Sequence, residues 1–90
     1  MVNKQTDYVA WVAVVQELDD AVEHLQALVR KMSEEADFGE VEFRIGLGHV
    51  YAHLNRAWHQ RDTTEEEQAV FTADQFQAWS RWPTDLAPVG

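Results

Sequence analysis

Apolar residues recur through the first third of the chain with a period that fits a helix packed along its length. Tyr8, Val15, Val22 and Val29 share one heptad position, and Trp11, Leu18, Leu25 and Met32 share the position three further on, unbroken through four heptads. The pattern predicts a helix from about Asp7 to about Ser33, roughly 40 Å long at 1.5 Å per residue, with Thr6 as N-cap and Asp7 in its first turn. The β-branched run Val9, Val12, Val14, Val15 is also compatible with a strand, but the heptad stays in register beyond it through Leu18 and Val22. A rod with such a stripe is expected to be sheltered on more than one side.

A second helix is expected to start near Phe38, after Asp37 and Glu40 at the spacing of a capping box, and to run to about Arg61. Its apolar face comprises Phe43, Leu47, Val50, Tyr51, Leu54, Ala57 and Trp58. A tight connection makes the two helices antiparallel and places Trp58 near Tyr8 and Trp11. Gly46 and Gly48 flank that face, each at a cost of up to about 1 kcal/mol relative to alanine, and fit close approach of a neighbouring helix.

A third segment opens at Thr63 or Thr64 ahead of Glu65, Glu66 and Glu67. The last helix has the sharpest start signal: Thr72 and Gln75 form a capping box, with Phe71 and Phe76 at staple positions. It carries Phe76, Trp79 and Trp82, and Pro83 stops it. The expected fold is all-α, one domain over residues 1–90. It comprises a long antiparallel hairpin and one or two short C-terminal helices, with residues 1–6 and 83–90 loosely ordered. Because a short third helix cannot cover a 40 Å seam, two hairpins are expected to pair as a homodimer with a four-helix-bundle-like core.

Composition narrows the partners. The 90-residue chain is 46 % apolar with four tryptophans, which argues for folding, and its net charge of −9 disfavours nucleic acid and anionic membrane while favouring a basic protein partner. It has no cysteine, hence no disulfide and no thiolate metal site. No cofactor is expected. No run is long enough to span a bilayer, and a cytoplasmic location is the default expectation.

Residues 43 to 61 carry Arg44, Arg56 and Arg61 with His49, His53 and His59 and no acid, so the second helix is the one basic element. Its cations either pair with neighbouring carboxylates or form an anion-contact strip that strengthens as imidazoles charge. Within it, Arg44, four residues, His49, one residue and Tyr51 form a run that is similar to the short motif of HEPN-type ribonucleases. That resemblance implies a dimeric ribonuclease in which Arg44 stabilises phosphate charge, His49 is general acid or base and Tyr51 assists. His49 and His53, one turn apart, could instead share a metal, with His24 or a carboxylate as a further ligand. Trp79, Trp82 and Arg56 are candidate binding residues, since exposed tryptophan and arginine are favoured at binding hot spots. The leading expectation is a small acidic interaction or regulatory protein that binds a basic partner through its carboxylates and one or two exposed aromatics.

Overall fold

The computed structural model describes all 90 residues, and the chain is all-helical: α1 (Tyr8–Glu34), α2 (Glu40–Gln60), α3 (Glu65–Ala69) and α4 (Ala73–Trp79). The long pair α1 and α2 form an antiparallel hairpin, α3 packs on α1 and α4 on α2, in a molecule 48 × 29 × 24 Å across.

Local signals placed most helix starts. Thr64 caps α3 by accepting the Glu67 N–H at 3.3 Å. Both arms of the Thr72–Gln75 box form, at 3.2 and 3.0 Å, and Phe71 meets Phe76 edge to face at 6.4 Å between ring centroids. Three boundaries differ from expectation. Asp7, not Thr6, is the N-cap of α1. Gly39 caps α2 and its N–H donates to the Glu42 carboxylate at 3.0 Å, so the effective box is two residues beyond the Asp37–Glu40 pair. The last helix ends at Trp79, well before Pro83, because the Ser80 carbonyl accepts a hydrogen bond from Asn55 and Trp82 is drawn off to stack on Tyr51 at 5.2 Å.

The lead-in makes contacts that its sequence gave no reason to expect. Val2 is buried and its N–H donates to the Arg61 carbonyl at 2.6 Å, and the terminal amine of Met1 pairs with Asp62. At the other end Pro83 is buried and Asp85 accepts a hydrogen bond from the Trp58 indole at 2.9 Å, whereas residues 84–90 are exposed.

The largest departure concerns the seam. The residues of α1 turned toward α2 are Ala10, Val14, Glu17, Ala21, His24 and Leu28, at alternating spacings of four and three. This is a second heptad stripe, offset by about 110° from the first at 100° per residue. The greasier stripe, expected to be sheltered on more than one side, instead faces outward within the chain: Tyr8, Val15, Leu18, Val22, Leu25, Val29 and Met32 are 39 to 62 % exposed. Small side chains explain the choice. Alanine at positions 10 and 21 lets α2 approach closely, and Gly46 leaves room for Leu28, whose Cδ1 would lie 2.7 Å from a Cβ there and would have to shift.

The same offset recurs on α2. Gly46, Val50, His53 and Ala57 lie at the seam, while Leu47, Tyr51 and Leu54, each one residue further on than a seam residue, are exposed together with Phe43. In two antiparallel right-handed helices a step of one residue turns toward the same side of the plane through both axes. The two exposed stripes therefore form one face of the hairpin, two helices wide and uncovered apart from Trp82 stacked on Tyr51, while α3 and α4 occupy the opposite side. The core within the chain is correspondingly thin: seven apolar residues are buried, three of them alanines, and no large side chain is fully enclosed.

Candidate functional site

The side of the hairpin that carries α4 holds a polar cleft. His24 of α1 sits beside His49 and His53 of α2, with ring centroids 5.0 and 5.1 Å away. Arg56, one turn beyond His53, and Ser80 and Arg81 at the end of α4 complete an open cleft of about 540 Å³. None of the side chains lining it is a carboxylate.

Glu17, on the α1 seam, lies at the back of the cleft and organises it. Its two oxygens divide between neighbours, with Oε1 accepting from Arg56 Nε at 3.1 Å and Oε2 lying 2.7 Å from His53 Nδ1. The Arg56 side chain is buried, with its Nη1 donating to the Ser80 hydroxyl at 2.7 Å and its guanidinium 4.3 Å from the centre of the Phe76 ring. Nη2 of Arg56 lies 2.9 Å from the same His53 Nδ1. One ring nitrogen cannot donate to a carboxylate and accept from a guanidinium at once. A lone pair aimed at a carboxylate oxygen 2.7 Å away would be repulsive, so the proton sits on Nδ1 and bonds Glu17. His53 then offers no acceptor to Arg56 Nη2 and keeps Nε2 as its own acceptor nitrogen.

The candidate residues are divided between the two faces. Arg44 and Tyr51 line a groove on the apolar side with Phe43, Leu47 and Gly48, whereas His49 lines the cleft on the other. Within one chain the Arg44, His49 and Tyr51 run does not converge, since five residues turn the helix through about 140°. His49 and His53 do share the cleft, but no group of three or more His, Cys, Asp or Glu side chains is placed to hold a metal ion. The rings of His24 and His53 are stacked within 19° of parallel. Imidazole lone pairs lie in the ring plane, so stacking sets them side by side rather than convergent on one ion at the 2.0–2.1 Å of a zinc–nitrogen bond.

Trp79 is half-buried and closes a small aromatic cluster with Phe71 at 5.0 Å and His59 at 6.2 Å. Trp82 remains 49 % exposed against Tyr51. Arg56, considered for the exposed basic strip, is instead a buried residue whose charge is matched by Glu17. Trp58 is half-buried, with Arg61 lying 3.7 Å over its ring, and Arg61 also pairs with Asp85. The Trp58 indole holds the Asp85 carboxyl below its ordinary value, helped by Arg61 and His59.

Pattern analysis missed Glu17 and Arg81. Glu17 stands seven residues before His24 and seven after Ala10, so the second heptad stripe contains it, but a third of that stripe is polar and another third is alanine, so apolar periodicity passes over it. Arg81 carried no signal of its own. No helix is long and apolar enough to cross a membrane. Comparison of the chain with protein-family models, curated proteins and solved structures gives no match, so its functional reading rests on its own residues.

Proposed function

We propose that this chain is a homodimeric helical interaction module, in which a second copy covers the two-helix apolar face and completes a four-helix bundle. The observation that carries the reading is the α1 heptad stripe, unbroken from Tyr8 to Met32 and turned away from the chain's own core. Monomers rarely expose contiguous apolar patches above a few hundred Å². This face is about 30 to 40 Å long and two helices wide, on the order of 700 Å², close to the ~800 Å² that each partner buries in a standard stable interface.

Three features favour a second copy over an unrelated partner. A heptad kept for the full length of α1 is matched by another helix of equal length and rhythm, and the chain itself supplies one. The face is self-complementary under a two-fold axis, because each copy presents the same pair of stripes. Gly48, inside α2 on this face, has nothing within 4 Å of where a Cβ would lie, so its cost to the helix is not recovered within one chain and close approach of another helix accounts for it. The dimer would carry twice the charge of −9 and present acidic flanks and Trp82 to a basic protein.

The ribonuclease reading needs Arg44 and His49 at one phosphodiester. With the apolar faces joined, Arg44 and Tyr51 border the interface while His49 stays on the outer surface, so the binding module is the reading we favour.

Light scattering coupled to size exclusion tests the dimer. At about 10 µM the expected mass is twice 10.4 kDa, and Leu18→Glu with Leu25→Glu is expected to halve it while retaining the helical spectrum. A wild-type monomer with an intact helical spectrum overturns the proposal.

A further inference from the structure

On the opposite side of the hairpin from the apolar face, we propose that the cleft between α1, α2 and the end of α4 binds a small phosphomonoester. Four observations converge on this. First, three of the four histidines and two of the five arginines of a chain of net charge −9 line one cleft that no carboxylate lines. The one carboxylate behind it, Glu17, is already bonded to His53 and Arg56. Second, Arg56 is 94 % buried, being 6 % exposed, lines the cleft, and cannot donate from Nη2 to His53 Nδ1 once the Glu17–His53 hydrogen bond is formed. An anion in the cleft would give that guanidinium a charged acceptor, stronger than a neutral one.

Third, the donors come from three elements: His24 from α1, His49, His53 and Arg56 from α2, and Arg81 past the end of α4. Donors arriving from several directions suit a tetrahedral group with three or more acceptor oxygens better than a planar carboxylate. Fourth, about 540 Å³ is ample for a phosphate with an organic substituent, and the Phe76 ring offers that substituent an apolar wall.

The long-range charge of the chain does not oppose this. At physiological ionic strength the screening length is about 8 Å, so distant acids are muted while the groups lining the cleft act in full. The charged neighbours are Glu17, whose two oxygens are already committed, and, along the groove that continues past His24 and His49, Lys31, Glu35 and Glu42. With neutral imidazoles the cleft holds two guanidinium charges against one carboxylate, and each imidazole that binds a proton adds another cation.

The cleft lies within one chain, so its test is independent of the oligomeric state. Wild-type protein is titrated with sulfate, inorganic phosphate and phenyl phosphate at pH 6.0 and 8.0, with sodium chloride as the ionic-strength control, while imidazole and guanidinium resonances are followed by NMR. Saturable shifts confined to His24, His49, His53, Arg56 and Arg81 are expected, with phenyl phosphate binding more tightly than phosphate. Arg81→Gln, at an exposed position, should fold normally and weaken binding about 10-fold, the value of one charge-assisted hydrogen bond. Shifts that track ionic strength without saturating, an unchanged affinity in Arg81→Gln, or an RNA oligonucleotide binding more tightly than phenyl phosphate would each overturn the proposal.

Discussion

Glu17 and His53 face each other across the helical hairpin with Oε2 and Nδ1 2.7 Å apart, and both side chains are more than four-fifths buried. The same carboxylate matches the buried charge of Arg56. Glu17→Gln keeps the size of the side chain but removes that match, leaving a cation enclosed without a counter-charge. The expected cost is about 3 kcal/mol, or a fall in Tm of more than about 10 °C for a domain of this size at fixed protein concentration. Urea unfolding followed by circular dichroism checks it, and a loss below about 1 kcal/mol would show that the pair contributes no more than an exposed one.

The two helix glycines should respond in opposite ways to the same substitution. Gly46→Ala gains roughly 1 kcal/mol of helix propensity but drives a methyl into Leu28, at an overpacking cost of about 1 to 3 kcal/mol, so a net loss near 1 kcal/mol is expected. Gly48→Ala meets nothing within the chain. In dilute solution, where single chains dominate, it should stabilise by about 0.5 to 1 kcal/mol, while at high concentration it should lower the dimer fraction. Urea melts at two concentrations, with light scattering, separate the effects. Equal gains for both variants at both concentrations would contradict the seam and the dimer together.

Asp85 links pH to the anchoring of the C-terminal segment. Its carboxyl is held low first by the Trp58 indole and then by Arg61 and His59. A depressed carboxylate stabilises the fold above its ordinary value of about 3.9, and that contribution is lost as pH falls through the lowered value. Trp58 emission should therefore be flat from pH 7 to about 5 and change only in more acidic solution. In Asp85→Asn that change should disappear. A midpoint near neutrality would assign the transition to a histidine instead.

The helices were legible because their signals are local. Thr64, Thr72 with Gln75, and the Phe71–Phe76 staple each act within five residues, and the structure shows all three. The seam was misjudged for a reason of competition. Both stripes of α1 have heptad spacing, and hydrophobicity ranks the one with valine and leucine first, whereas the hairpin selects the one with alanine because backbone approach there is closer. The cleft was half legible: the acid-free run of α2 exposed its histidines and arginines, but Glu17 and Arg81 join them only through tertiary contact. Trp82 was misplaced in a helix because its stacking on Tyr51 is likewise non-local.

The two stripes of α1 share no residue, which makes closing the hairpin and covering its apolar face chemically separate events. Closing the hairpin involves one chain alone, whereas in the proposed dimer occupation of the outward stripe would rise with protein concentration. In that dimer, scarce copies would leave a greasy strip open to other proteins or to proteases, and plentiful copies would hide it from both.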